Sequence, residues 1–139
     1  MLTLDKVYHA RFMLKPIARK TDLIAAPRLC PGTELYLKTE NLQVTGSFKL
    51  RGAYYKISQL TEEERAKGVI ACSAGNHAQG VALAATRMGI PSVVCMPDSA
   101  PIMKVESTKR LGAKVELVKG TYDDAHDRAV ELQKETGMT

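Results

Sequence analysis

The sequence predicts an α/β fold, a parallel sheet with helices on its flanks, and three observations carry that prediction. Short apolar runs at Val69-Ile70-Ala71-Cys72, Val93-Val94-Cys95-Met96 and Val115-Glu116-Leu117-Val118 recur with helix-length stretches between them. The intervening stretches place apolar residues at helical rather than alternating spacing. Capping and turn residues mark where one pattern gives way to the next. Strands alternating with helices of about ten to fifteen residues imply βαβ units, whose crossovers are right-handed.

The elements follow in order. Leu4, Val7, Ala10, Leu14 and Ile17 repeat at helical spacing and predict a packed first helix, although five basic residues and one acid among the first twenty give it a transit-peptide flavour. Ala18 to Thr33 is loop-rich, punctuated by Pro27, Pro31 and Gly32. Glu34 to Thr39 alternates polar and apolar, a strand signature. Ser47 to Leu60 reads as a helix with Leu50, Tyr54, Ile57 and Leu60 on one stripe. Thr61 with Glu64 forms a capping box for a short helix closed by Gly68. After the strand at 69–72, a helix runs from about Asn76 to Met88 and ends at Gly89. Ser99 and Pro101 open a helix to Leu111, and Thr121 with Asp124 caps a last helix that fades at Gly137.

At 139 residues the chain has the length of one ordinary domain, and 45% apolar and 25% charged residues suit a globular core. No apolar run approaches the roughly eighteen residues of a membrane-crossing helix. The seven aromatics, none of them Trp, argue against stacked-base platforms. Cysteines at 30, 72 and 95 form neither an even framework nor a C-x-x-C pair, which argues against a disulfide scaffold or structural zinc and for a reducing, cytoplasmic compartment. The net charge of +5 divides into +6 for residues 1–60 (ten basic, four acidic) and −1 for residues 61–139 (ten basic, eleven acidic). These cations are scattered rather than clustered, so small anions are a better expectation than nucleic acid.

Two segments carry chemistry. In Thr45-Gly46-Ser47-Phe48-Lys49-Leu50-Arg51-Gly52-Ala53, Gly46 permits a turn, Ser47 can cap the helix, and Lys49 falls in its first turn. A helix N-terminus disfavours an ammonium, and a lysine so depressed is what amine nucleophiles and Schiff-base formation require. Gly52 and Ala53 lie one turn on, leaving room for a planar group or another backbone. A solvated helix lysine beside small packing residues is the plainer alternative. The second segment, Ser73-Ala74-Gly75-Asn76-His77-Ala78-Gln79-Gly80, lies at the carboxyl end of a strand and opens a helix. Ligands sit at such turns in parallel α/β sheets, where free N–H groups bind anions such as a carboxylate. A plain βα turn, with Ser73 as cap and Gly75 for conformation, accounts for the same residues. The segment is neither a Gly-x-Gly-x-x-Gly fingerprint nor a phosphate loop, so dinucleotides and nucleoside triphosphates are poor candidates.

The other reactive residue types have structural readings. His77 shares a stripe with Val81 and Ala84 and is expected to pack, while His9 and His126 are expected at the surface. The cysteines are expected as small buried hydrophobes, with Cys72, beside the turn, the one to watch. Asp123, Asp124 and Asp127 lie in the first turns of a helix, where dipole compensation explains them without a metal.

Taken together, Lys38-Thr39-Glu40-Asn41, Gly46 to Ala53 and Ser73 to Gly80 resemble the fold-type-II pyridoxal-phosphate enzymes, with the tryptophan synthase β-like fold, and within them the threonine/serine dehydratase branch. Met96-Pro97, Ala100-Pro101 and Lys104 fit the same pattern. Arg51-Gly52-Ala53 separates the chain from the cysteine-synthase branch, for which Ser-x-Lys-Asp-Arg is expected. The resemblance implies pyridoxal 5'-phosphate as cofactor, Lys49 as its Schiff-base lysine and as the base at the substrate Cα, and Phe48 beside the cofactor ring. It further implies Asn76 on the cofactor's phenolic oxygen, and Ser73, Ala74, Gly75, Asn76 and His77 around the substrate carboxylate. The implied reaction is deamination of L-threonine to 2-oxobutanoate and ammonia, with L-serine, which gives pyruvate, as second substrate.

The implied organisation is the start of a large cofactor domain over residues 1–52 and most of a small α/β domain over 53–139. Homo-oligomers are implied for the full-length protein, with an amino acid as the small-molecule partner and neither nucleic acid nor membrane. The family's tetraglycine phosphate loop and its late Ser or Cys facing the pyridine nitrogen do not occur in these 139 residues, so the expectation is an incomplete portion, inactive alone. A serine racemase-like enzyme portion and a non-catalytic anion-binding or interaction module are the alternatives.

Overall fold

A computed structural model describes all of residues 1–139. Thr3 caps the first helix, α1 (Leu4–Leu14), its side-chain oxygen accepting from the Lys6 N–H. Only Leu14 of this helix is buried; Leu4 and Val7 are 66% and 48% exposed. The expected packed first helix therefore forms but packs only toward its C-terminal end. The helix meets α2 (Lys49–Ser58), with His9 Nδ1 3.2 Å from the Tyr55 hydroxyl, and no second element covers the rest of its stripe.

Residues 18–33, expected as loop, contain a short strand, β1 (Leu23–Ala25), paired antiparallel with β2 (Tyr36–Lys38), Ile24 opposite Leu37. Three residues beside Pro27 are too few to show an alternating period, and the pairing rather than burial defines them, since both strands are exposed. The strand expected over 34–39 is trimmed to its central three residues. A 3₁₀ turn, Glu40–Leu42, leads on toward α2.

That lead-in is held by buried polar contacts. The Gln43 side chain brackets the backbone of Arg19, accepting from its N–H at 2.8 Å and donating to its carbonyl at 3.0 Å. Arg51 of α2 forks onto both oxygens of Glu40, each at 2.8 Å, and the Thr21 hydroxyl donates to the same carboxylate at 2.6 Å. The Arg51 guanidinium holds the Glu40 carboxyl at about 2, well below its ordinary value. Arg19 also donates to the Leu42 carbonyl and Lys38 to that of Thr21. Part of the N-terminal charge excess is thus spent on tying loop to helix.

Leu50, Ala53 and Ile57 bury one stripe of α2. The capping box at Thr61 and Glu64 opens α3 (Glu62–Lys67) as expected, and Gly68 turns the chain into β3 (Val69–Cys72). The alternation then runs through α4 (Asn76–Arg87), β4 (Ser92–Pro97), α5 (Ile102–Arg110), β5 (Lys114–Val118) and α6 (Tyr122–Thr136). The three strands pair in parallel in the order β3-β4-β5, with Ile70 beside Val93 and Val94 beside Val115. Alternation along the central strand β4 divides the core. Val94 and Met96 pack with Ala78, Ala82 and Val105 on one face, while Cys95 packs with Ala125 and Ala129 of α6 on the other. On the free edge of β3, Thr139 donates to the Gly68 carbonyl and accepts from the Ile70 N–H, the two-bond pattern of a parallel neighbour. No helix is long and apolar enough to cross a membrane.

Candidate active site

The turn after β3 is built by one hydroxyl. Ser73 Oγ accepts from the N–H groups of Gly75 and Ala78, each at 3.3 Å, and the Ser73 N–H is held by the Cys95 carbonyl on the neighbouring strand. Ser73 therefore pins the turn to the sheet. The backbone N–H groups of Ala74, Asn76 and His77 have no acceptor within the chain. Three free donors at the start of a twelve-residue helix form a cradle for an anionic oxygen pair, reinforced by the helix dipole. Asn76 is the first residue of α4, and its Oδ1 accepts from Lys104 Nζ of α5 at 2.6 Å.

Lys49 is the first residue of α2, preceded by Phe48 at the cap position. Ser47, expected as the cap, sits one residue further out, buried, with its hydroxyl 3.4 Å from the Lys49 N–H. The Lys49 side chain is exposed, its Nζ 5.3 Å from the centroid of the equally exposed Phe48 ring. Gly80 brings the two helix starts together. A Cβ built on it would lie 3.1 Å from both the carbonyl carbon and the oxygen of Lys49, and 3.2 Å from the Leu50 nitrogen. Even a methyl at position 80 would press on the backbone of the first turn of α2.

His77 is the second residue of α4. Burial, then the positive charge of Lys49, lower its pKa below the ordinary 6.5 and favour its neutral form. Its expected packing holds in part. The residue is exposed overall, yet it lines an apolar cleft of about 250 Å³ with Ala53, Ile57, Val69, Ala71 and Val81. Gly52, where room for a planar group was expected, opens onto this cleft, and a Cβ added to it would meet nothing within 4 Å.

Other expectations resolve simply. Cys95 is fully buried and burial pushes its thiol up to about 11; Cys72 is half-buried, raised by the same cause, and donates to the Tyr122 carbonyl at 3.8 Å. Cys30 is exposed, contrary to the expectation of burial, because it lies in the turn after β1. His9 and His126 are exposed. Asp124 caps α6 through Thr121. Two contacts escaped the sequence reading: Gly80 against Lys49, and Lys104 on Asn76. Both residues belong to the motifs that carry the resemblance, but pairing partners on different helices is tertiary information.

The donor set fits pyridoxal phosphate in its aldehyde, ring and phenolic parts. Lys49 offers a primary amine at a helix start, Phe48 an exposed aromatic face beside it, and Asn76 an amide whose donor end is left free by Lys104. The free N–H groups of the turn remain for a carboxylate.

Comparison with known proteins gives the family. A family model described as "Pyridoxal-phosphate dependent enzyme" matches residues 14–139. An L-threonine ammonia-lyase of Thermotoga maritima is 50% identical over 139 residues, covering 99% of this chain and 35% of that protein. A catabolic L-threonine dehydratase of Staphylococcus aureus is 46% identical, covering 100% of this chain and 41% of that protein. Among solved structures, maize serine racemase superposes with a TM-score of 0.91 at 33% identity, over 98% of this chain and 42% of that one. Threonine deaminase isoform 2 of Solanum lycopersicum gives 0.86 at 37%, over 99% and 40%. The chain thus spans about 35–41% of the length of the curated relatives it matches. With lysine and anion cradle held together through Gly80, and the family match running through both, the chain belongs to the pyridoxal-phosphate dependent enzymes.

Proposed function

We propose that this chain supplies the lysine and the carboxylate cradle of a threonine dehydratase, which converts L-threonine to 2-oxobutanoate and ammonia and L-serine to pyruvate and ammonia. The observation that carries the reading is the juxtaposition of Lys49 with the start of α4 across Gly80. Pyridoxal phosphate, when bound, supplies an electron sink for negative charge at the substrate Cα. Lys49 Nζ would be its covalent anchor and then the group that takes the Cα proton. The N–H groups of Ala74, Asn76 and His77 hold the substrate carboxylate, and Ser73 and Gly75 keep the turn in shape for it. Asn76 Nδ2 would donate to the cofactor's phenolic oxygen, and Phe48 would pack beside its ring. His77, neutral beside Lys49, adds no second cation to the lysine's surroundings and leaves the proton transfer to Lys49. Loss of the β-hydroxyl as water and hydrolysis of the resulting enamine complete the deamination.

The reading includes a cytoplasmic homo-oligomer, the large-domain start over residues 1–52 and the small domain over 53–139, and no deamination by these 139 residues alone. Borohydride reduction of the chain mixed with pyridoxal phosphate, followed by peptide mass mapping, tests the anchor. One pyridoxyl group on Lys49, absent from Lys49→Ala, is expected; label spread evenly over many lysines and unchanged in the variant overturns it. In a separate, unreduced mixture of chain and pyridoxal phosphate, L-threonine should shift the visible spectrum saturably, and D-threonine should not. Release of 2-oxobutanoate by the chain alone would refute its inactivity in isolation.

A serine racemase-like reading draws on the higher TM-score to the maize enzyme, while the higher identities favour the dehydratase. It uses the same Lys49 and the same cradle. Formation of D-serine from L-serine in the full-length protein would select it.

A further inference from the structure

A primary amide has a donor end and an acceptor end of nearly equal shape, so packing alone does not choose which faces a ligand. For Asn76 the choice is made from α5. Lys104 reaches across from the third residue of that helix and donates from Nζ to Asn76 Oδ1 at 2.6 Å. An ammonium has three donors and no acceptor, so Oδ1 is the only atom of the amide that can meet it. Nδ2 is thereby turned away from Lys104, with both its hydrogens free.

The base of this contact is fixed. Val105 and Thr108 are buried beside Lys104, and the Thr108 hydroxyl donates to the Lys104 carbonyl at 2.8 Å. Lys104 itself is half-buried and forms no ion pair, so its charge is directed at the amide. A cation on Oδ1 also polarises the amide and strengthens the donors at Nδ2.

We infer that Lys104 is a positioning residue that sets the polarity of Asn76, so that the site presents an N–H donor to an anionic ligand oxygen and refuses a ligand bearing a donor there. This rests on Asn76 as partner of the cofactor's phenolic oxygen. Lys104 touches neither cofactor nor substrate in this role; it acts through the amide.

The test has one arm without cofactor and one with it. In the ¹⁵N,¹³C-labelled chain, Lys104→Met should shift the Asn76 Nδ2 and Cγ resonances and speed exchange of the amide hydrogens, and Lys104→Arg, which keeps a donor, should restore them. Unmoved Asn76 resonances in Lys104→Met overturn the inference whatever the cofactor does. In the second arm, pyridoxal phosphate affinity is read from visible absorbance for Lys104→Met, Asn76→Ala and the double variant, with circular dichroism confirming that each folds. Each single change should weaken affinity about tenfold, and the double variant should be no weaker than Asn76→Ala. Additive losses mean that Lys104 acts independently of Asn76 and overturn the inference. Full affinity in Asn76→Ala refutes the reading of Asn76 instead, and the amide resonances still decide whether Lys104 orients it.

Discussion

Replacing Gly80 by alanine tests the contact on which the site depends. Alanine is the better helix former by about 1 kcal/mol, so on propensity alone the change stabilises α4. Against this, the added methyl would sit 3.1 Å from the Lys49 carbonyl carbon and oxygen and 3.2 Å from the Leu50 nitrogen. These are backbone atoms of the first turn of α2, anchored by the fully buried Leu50 side chain, and they cannot swing aside. Overpacking of this kind costs about 1–3 kcal/mol, leaving a net loss of about 1 kcal/mol. Gly52→Ala supplies the control. It lies inside α2 with nothing within 4 Å of the new methyl, so it should keep the propensity gain of about 0.5–1 kcal/mol. The two alanine variants should therefore differ by about 2 kcal/mol in urea unfolding, or some 5–10 °C in Tm for a chain of this size. Labelling of Lys49 by pyridoxal phosphate and borohydride should fall in Gly80→Ala, because α4 is pushed from α2. Equal stabilisation by both substitutions, with Lys49 labelling intact, would refute the close approach as the organising contact.

Three further outcomes follow from the structure. Glu40 is held from an ordinary 4.5 down to about 2 by Arg51, so its stabilisation is present above pH 4.5 and is lost as pH falls toward 2. The full linkage of about 3 kcal/mol reduces to about 1–2 because Arg51 is 34% exposed, and Glu40→Gln should lose that amount at pH 7 and converge with the parent chain in acid unfolding near pH 2. The His77 pKa, followed by NMR, should lie below the ordinary 6.5 and rise in Lys49→Met while burial still holds it down; an unchanged midpoint in that variant would place the lysine away from the ring. Thiol labelling should modify exposed Cys30 fastest and buried Cys95 only on unfolding, and fast labelling of Cys95 would show that α6 does not cover β4.

The alternation of strands and helices from Val69 onward was legible because each apolar run is bounded by a cap or turn residue whose chemistry is local. The boxes at Thr61 with Glu64 and at Thr121 with Asp124 form as their spacing requires. Residues 1–45 were less legible for a physical reason. Their order comes from contacts between residues 11 to 24 positions apart, such as Glu40 with Arg51 and Gln43 with Arg19, and not from a periodic face. The pattern of α1 promised burial that only Leu14 receives, since periodicity reports a face and not whether a neighbour covers it. At the site, each motif was visible in the sequence, but the sequence could not show that Gly80 faces Lys49 or that Lys104 reaches Asn76. Those pairings join different helices, and α4, rich in small residues, is what allows both.

The assembled face gathers positive charge and unpaired donors. Lys49 and Lys104 bring two ammonium groups toward the starts of α2 and α4, where two helix dipoles point their positive ends. Neither ammonium has a carboxylate partner: one lies near an aromatic ring and the other is on an amide oxygen. Free N–H groups of Ala74, Asn76 and His77 add donors without acceptors. Under the proposed reading, such a face favours a carboxylate at the turn over an ammonium, and the close approach of α2 to α4 at Gly80 sets where Lys49 stands relative to that turn. Lys104→Met, which acts through the Asn76 amide, and Gly80→Ala, which acts through the spacing of α2 and α4, should therefore be separable: the first is read in cofactor affinity, the second in Lys49 labelling.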